Sequence, residues 1–263
     1  MIRELFSIVC PFRSRITCHK SRFKKMIGSK IHRYETVAST NDIARELADG
    51  GAVEGTVVVS AEQTKGRGSR GRVWLSPPGV NLLMSVILKP KIPRNRLGEL
   101  AFVAGVAIAG TLRECCGLDA RIKWPNDVRV GGRKICGIIV EAVKDAVILG
   151  IGVNVNWTEL PDEIKDTATS VAIEHGGVVD IEQALKMLLA DLDIAYGVYR
   201  ARGFDRILQQ WKELETTTGK EVTVKLNGDS VKGLAVDVDD HGSLIVELPS
   251  GEVQSISAAT VVS

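Results

Sequence analysis

The sequence predicts an α+β fold: a mixed or antiparallel sheet backed by helices, with a small all-β unit after it. Three observations predict it. Apolar runs of strand length are interspersed with segments of helical length as far as about Glu215. Two of the strand runs meet at Lys144-Asp145 in hairpin fashion, which makes neighbouring strands antiparallel. After Gly219 the texture changes to short β runs punctuated by turn residues.

The regular pattern starts at about Ile31. Ser39-Thr40-Asn41-Asp42 precedes Ile43, Ala44, Leu47 and Ala48, whose spacing is that of one helical face. Ser39 and Thr40 are natural N-caps, with Asp42 in the first turn. Thr56–Gln63 (TVVVSAEQ) and Asn81–Leu88 (NLLMSVIL) read as buried strands, and Asn95–Cys116 as a helix crossing the core. Arg121–Trp124 is a short strand stopped by the turn chemistry of Pro125-Asn126-Asp127. The hairpin strands are Ile135–Val143 and Val147–Asn156, and Ile181–Arg200 and Phe204–Glu215 are helical. The final runs EVTVKL, VKGLAVDV, SLIVEL and EVQSIS are separated by Asn227-Gly228-Asp229, Asp240-His241-Gly242 and Pro249-Ser250-Gly251. The expected domains are a basic, flexible head at 1–30, an α+β body at 31–216 and a small β-barrel at 217–263.

Composition narrows the class. With 263 residues, 44% hydrophobic and 25% charged, the chain can hold one large domain and one small one. No apolar run is long enough to cross a bilayer as a helix. Cys10, Cys18, Cys115, Cys116 and Cys136 form no CxxC pair and no zinc spacing, which suits reduced thiols and a cytoplasmic location. Residues 1–30 carry eight basic side chains against Glu4 alone, so the remaining body is net negative and is no general polyanion binder. The head fits a targeting segment, a basic arm, or sequence upstream of a start at Met26.

Three segments carry chemistry. In the first, Lys65-Gly66-Arg67-Gly68-Ser69-Arg70-Gly71-Arg72, four cations with no acid sit on a backbone made pliable by three glycines. Gly66, Gly68 and Gly71 spell GxGxxG. The dinucleotide reading fails, because no helix opens after Gly71 and no acid stands about 20 residues on. What remains is a loop able to wrap a polyphosphate with guanidinium forks and backbone N–H groups. A solvated loop or an RNA-binding tract would read similarly; the place between two apolar strands favours a site loop. Lacking apolar anchors, it is expected to be ordered by its ligand. In the second segment, Arg121 and Lys123 share one strand face while Ile122 and Trp124 take the other. Lys123 thus stands where a compact cation could meet a carboxylate or an α-phosphate, although a lone strand-end lysine is as easily a surface charge. In the third, Gly150, Gly152, Asn154 and Asn156 share a face free of bulk, which admits either a ligand or a tightly packed helix.

Ser39-Thr40-Asn41, Gln63 before the Gly/Arg loop and Trp74, KWPND at 123–127, Arg133-Lys134 before CGIIVE, and GIGVNVN at 150–156 together resemble the biotin–protein ligase family. The match runs from about Ile31 to the C-terminus, and KWPND with GRGxxGR in this order is highly specific. The lipoate ligases share the fold but use a different glycine-rich signature and lack KWPND.

The resemblance implies a class II synthetase-like catalytic domain, an SH3-like terminal barrel, and no N-terminal DNA-binding domain. It implies ATP and biotin as substrates with Mg²⁺, and a biotin carboxyl carrier protein as acceptor. Ser39, Thr40, Asn41 and Gln63 would hold biotin, and Gly66, Arg67, Gly68 and Ser69 would close over it. Arg70 and Arg72 would neutralise phosphates, and Trp74 would pack near the adenine. Lys123 would bridge the biotin carboxylate and the α-phosphate, so Lys123→Ala would remove most adenylation. Asn126, Lys134, Gly137 and Asn154 complete the expected contacts. Lys123, Arg67 and Arg70 are the expected catalytic cations, with no protein-held metal.

Biotin-responsive repression is the competing reading. It needs about 60 residues of helix-turn-helix pattern ahead of the catalytic body, where about 30 precede Ile31. No specific DNA and no membrane are expected as partners, and a homodimer is possible.

Many family members carry arginine where this loop has Ser69, so this chain has one cation fewer over its adenylate. Native protein is expected to release biotinyl-AMP faster than Ser69→Arg in a stopped-flow dissociation measurement. Equal rates would overturn this.

Overall fold

The computed structural model describes residues 26–226, 229–257 and 260–261, though not the side chains of Arg70, Leu226, Asp229, Thr260 and Val261; the head as far as residue 25 lies outside them. Strand β1 (Ile31–Val37) runs parallel to β2 (Val57–Gln63), and helix α1 (Thr40–Asp49) makes the crossover that a parallel pair requires. Strand β3 (Leu82–Leu88) and helix α2 (Glu99–Cys116) follow, then β4 (Ala120–Lys123), β5 (Asp127–Val130), β6 (Arg133–Val143) and β7 (Ala146–Val153). The seven strands lie in the order β1-β2-β3-β7-β6-β5-β4, antiparallel except for the first pair. The sheet is therefore mixed, one of the two arrangements the sequence reading allowed.

Helices α3 (Val171–His175), α4 (Ile181–Arg202) and α5 (Phe204–Leu214) complete the larger unit. One sheet face packs under α2 and, at β4, under α5, with α4 packed on those two helices, and Met84, Val86, Ile122, Ile138 and Ile151 contribute to that core. Helix α2 is buried around most of its circumference, from Leu100 to Leu112, so its apolar residues show no single stripe. Glu99, buried at its start, is matched by Arg96 at 2.6 Å and the Tyr199 hydroxyl at 2.6 Å. The opposite sheet face is covered only in part. Helix α1 buries Ala44 there against Val58, Ile87 and Ile148, and the rest of that face is left to form the site.

The C-terminal unit is a five-stranded antiparallel sheet of β8 (Glu221–Leu226), β9 (Asp229–Val238), β10 (Leu244–Glu247), β11 (Val253–Ile256) and β12 (Thr260–Val261). Trp124, at the end of β4, pins this unit to the body. It is 2% exposed and donates its indole N–H to the Gly242 carbonyl at 2.9 Å. Gly242, at φ 82°, turns its backbone close over Phe102 and Phe204.

Four of these elements differ from the sequence reading, one of them β12, a two-residue strand paired with β8. β1 was covered by no strand expectation: its burial pattern is mostly exposed, so it carries no apolar run. β5 is four residues long and sits directly after the Pro125 turn, which masked it. α3 is a single capped turn, with the Ser170 hydroxyl accepting the Ile173 N–H.

Candidate active site

Helix α1 delivers three polar residues to the uncovered sheet face. Ser39 N-caps it, its Oγ accepting the Asn41 N–H at 3.3 Å, and this aims Thr40 and Asn41 into the protein, where both are buried. At the end of β2, Gln63 Oε1 accepts from the Thr40 N–H at 2.7 Å and from the Thr40 hydroxyl at 3.0 Å. Ser85 Oγ, fully buried on β3, lies 2.7 Å from Thr40 Oγ1 and 2.6 Å from Asn41 Oδ1; its one proton serves one of them at a time. Residues from three separate stretches of the chain thus form one fixed polar cluster.

The floor beside this cluster has no side chains. A Cβ on Gly150 would meet Asn41 Oδ1 at 2.4 Å, so helix and strand approach this closely only with glycine there. Further along, the Trp74 indole lies directly on β6 and β7: a Cβ on Gly152 would come within 2.6 Å of it, and one on Gly137 within 2.8 Å. The pocket lies between the start of α1, the Gly/Arg loop and this floor, where Ile139 shares the face of Gly137, Gly150 and Gly152, while Met84, Ile138 and Ile151 turn their side chains to the core on the other face.

The Gly/Arg loop is a small hairpin over the pocket. The Trp74 N–H donates to the Gly66 carbonyl at 3.0 Å, the Gly68 N–H to Arg72 O at 2.6 Å, and Ser69–Gly71 make a 3₁₀ turn. The expectation of a loop without anchors is corrected here. Trp74 anchors one arm, and Arg67 ties the other to α1 through paired bonds to Asp42 at 2.7 and 3.0 Å, with Glu141 at 3.8 Å. The bond to Asp42 holds the Arg67 guanidinium above its usual pKa. Trp74 Nε1 is buried against Gly152 and has no hydrogen-bond partner among the described residues.

The cations sort in a way the sequence did not foretell. Lys134 lines the pocket, paired with Asp127 at 2.5 Å and with its ammonium 5.6 Å from the centre of the Trp74 ring. Strict alternation along β6 would place Lys134 with the core residues Cys136 and Ile138. The register shift opposite Val128/Arg129 pairs Arg129 with Lys134 and Val128 with Cys136, so the bulge turns Lys134 onto the pocket face. Lys123, in contrast, does not line the pocket. It stands on the same sheet face but further along, in a second cavity with Arg129 and Lys220. Burial, ahead of repulsion from Arg129, lowers its pKa below the ordinary lysine value.

Arg72 points away from the pocket and grips Ser69, Nη2 to Oγ at 2.7 Å and Nε to the carbonyl at 3.2 Å. Gly68 and Ser69 reach the lining, while Gly66 supports the hairpin from behind. Asn126 is at the pocket edge, its Nδ2 donating to the Ile138 carbonyl at 2.6 Å. Asn154 is not at the pocket; it is buried and donates to the Thr169 carbonyl at 2.9 Å, bracing the segment before α3. Arg70 can be placed only by its backbone, in the 3₁₀ turn.

Residues 34–156 fit the model of the biotin/lipoate A/B protein ligase family, and residues 217–262 that of the biotin protein ligase C-terminal domain. A biotin–[acetyl-CoA-carboxylase] ligase of Paracoccus denitrificans is 35% identical over 238 residues, 85% of this chain and 96% of that protein. The chain belongs to the biotin protein ligase family. A bifunctional ligase/repressor BirA of Bacillus subtilis is also 35% identical, over 241 residues, 89% of this chain and 74% of the relative. Among solved structures, a biotin protein ligase from Aquifex aeolicus in complex with biotin and ATP superposes with a TM-score of 0.81 at 30% identity, covering 89% of this chain and 99% of that one.

Sequence reading of this biotin protein ligase missed Ser85, Asp127 and Glu141. Ser85 left a signal, a lone hydroxyl inside the apolar run LLMSVIL. The two acids left none, because their partners Lys134 and Arg67 come from other elements.

Ser85→Ala removes a buried hydroxyl from Thr40 and Asn41 and is expected to destabilise the fold by about 1–3 kcal/mol. Urea unfolding checks this, and an unchanged midpoint would overturn it.

Proposed function

We propose that the pocket binds biotin at the Ser39, Thr40, Asn41 and Gln63 end, and that the acid's carboxylate meets ATP beside Lys134. The observation that carries this reading is the single continuous face on which that polar cluster, the glycine floor and the Asp127-oriented Lys134 follow one another. The activity is that of an ATP-dependent biotin–protein ligase. In the first half-reaction, a carboxylate oxygen of biotin attacks the α-phosphorus of ATP; a P–O bond to pyrophosphate breaks and biotinyl-5′-AMP forms. In the second, the ε-amine of a carrier lysine attacks the mixed-anhydride carbonyl and AMP leaves.

Both partners of the first step are anions, so the protein's work is to neutralise charge and align groups. Lys134 is the cation best placed for this, held by Asp127 and sheltered by Trp74. The role expected of Lys123 passes to Lys134 in this reading. Arg67 is already matched by Asp42 and acts by holding the hairpin shut; a closed hairpin keeps water from the anhydride. Arg72 and Ser69 shape the hairpin turn, and Trp74 seats the hairpin on the glycine floor.

Among the described residues no group of three His, Cys, Asp or Glu side chains converges to hold a metal ion. Mg²⁺ is therefore proposed to arrive on the nucleotide's phosphates, where it supplies further charge neutralisation. The acceptor is proposed to be the biotin carboxyl carrier of a carboxylase, and the location the cytoplasm. No described helix is long and apolar enough to cross a membrane. The division into a body at 31–216 and a small C-terminal domain at 217–263 is retained, and homodimerisation is an open arm of the same proposal.

Biotin-dependent exchange of labelled pyrophosphate into ATP tests the function, with lipoate as control. Exchange with biotin alone is expected, and exchange with lipoate instead would overturn the substrate. Lys134→Ala is expected to slow exchange by about a hundredfold or more, the scale of losing one preorganised electrostatic contact. Near-native exchange in that variant would return the role to another cation.

A further inference from the structure

The tip of the covering hairpin is tied to the body through a ring of four charged side chains. Arg67 Nη1 and Nη2 donate to the two carboxylate oxygens of Asp42 at 3.0 and 2.7 Å, and Nη2 stands 3.8 Å from Glu141 Oε1. The other oxygen of Glu141 accepts from Arg45 Nη2 at 2.9 Å. Asp42 and Arg45 are three residues apart on α1 and so share one helix face. Glu141 follows Gly137 and Ile139 by alternation along β6, on the face that carries the pocket. Cations and acids alternate around the ring, which joins hairpin, helix and strand at the pocket rim, where Arg67 is itself a lining residue.

Of the described side chains from Arg67 to Arg72, that of Arg67 is the one bonded to another element; Ser69 and Arg72 bond to each other. Arg67 also bridges Val73 across the hairpin, so a tie at Arg67 holds both arms. The second fixed point is Trp74, seated on the glycine floor. Freeing Arg67 would therefore let the tip swing while Trp74 stays as the hinge. Arg67 and Asp42 are 39% and 40% exposed, which makes the tie weak enough to open often. Asp42 has a second role, because an acid in the first turn of α1 favours that helix end. The two roles differ in what they predict.

We propose that Asp42, backed by Glu141 and Arg45, is a positioning residue: it latches the hairpin through Arg67 and so sets how long biotinyl-adenylate stays in the pocket. The inference rests on the ligase reading above and adds to it a control over the interval between the half-reactions. The anhydride must wait for a carrier lysine, and escape and hydrolysis compete with transfer during that wait. Every bond of the ring is between protein groups, so its hold does not depend on contacts with the ligand. The cation missing at Ser69 therefore does not weaken it. A latch acts on rates. Entry and exit both pass through the opened hairpin, so loosening it speeds both and leaves their ratio, the affinity, nearly unchanged. A direct ligand contact would instead change affinity, and a helix-stabilising acid would change only the thermal midpoint.

The test compares full-length native protein with Asp42→Asn and Asp42→Glu. Biotin association and dissociation are followed by stopped-flow tryptophan fluorescence, and biotinyl-AMP release in the same way. In Asp42→Asn both biotin rates are expected to rise about fivefold to tenfold, the scale of a charge-assisted pair discounted for its exposure, with Kd within about twofold. Biotinyl-AMP release should rise by the same factor, as should tryptic cutting after Arg70 and Arg72 in protein given no ligand. Asp42→Glu keeps the charge and should stay nearer native, and roughly 1 M sodium chloride should speed release from the native protein. Unchanged rates in Asp42→Asn would overturn the proposal. A weakened Kd at an unchanged association rate would overturn it too, as would a lowered thermal midpoint with unchanged rates. Absence of biotin-dependent pyrophosphate exchange in the native protein would defeat the ligase reading, while faster tryptic cutting in Asp42→Asn would still support the latch.

Discussion

The closeness with which side chains approach the backbone of β6 and β7 governs the rest of the site. Asn41 can reach Gly150, and Trp74 can lie on Gly137 and Gly152, only because those positions have no Cβ. If any one were filled, α1 would move outward or the hairpin would lift. The polar cluster, the covering loop and the floor thus depend on one another through a few ångströms of absent volume.

Charge is handled in the same local way. Arg67 and Lys134 each have a partner from another element, Asp42 and Asp127, and Arg72 has Ser69 within its own turn. These contacts fix geometry more than they add stability, since most are partly exposed and screened. For a reaction between two anions, orientation of positive charge before substrates arrive is what counts. The bulge in β6 is the backbone device behind it, moving Lys134 from a core-facing register to the pocket.

The two units are joined at β4. Trp124 anchors the C-terminal sheet through Gly242, while its neighbour Lys123 faces the opposite side, onto the seam. One short strand therefore divides its alternate residues between holding the units together and lining the cavity between them. This arrangement explains how a segment read as a single motif, KWPND, comes to serve two places: Lys123 at the seam, and Asn126 and Asp127 at the pocket.

The sequence by itself determined the α+β class, most element positions, the N-cap at Ser39 and the glycine face of β7. Each is encoded locally, in periodicity, capping chemistry or the absence of side chains. The polar cluster around Thr40 and Gln63 was legible as well, through the family's motif. The resemblance named both Lys123 and Lys134; that only Lys134 lines the pocket was left to the tertiary structure. Alternation along β6 puts Lys134 on the wrong face, and only strand pairing reveals the bulge that corrects it. The partners Asp42, Asp127 and Glu141 were equally hidden, because a salt bridge between elements leaves no spacing in the chain. Asn154 illustrates the converse: alternation assigned it to the open face, but the strand ends at Val153 and the chain turns its amide inward to Thr169. Local pattern fixes what a segment is; which residues meet is decided by register and packing.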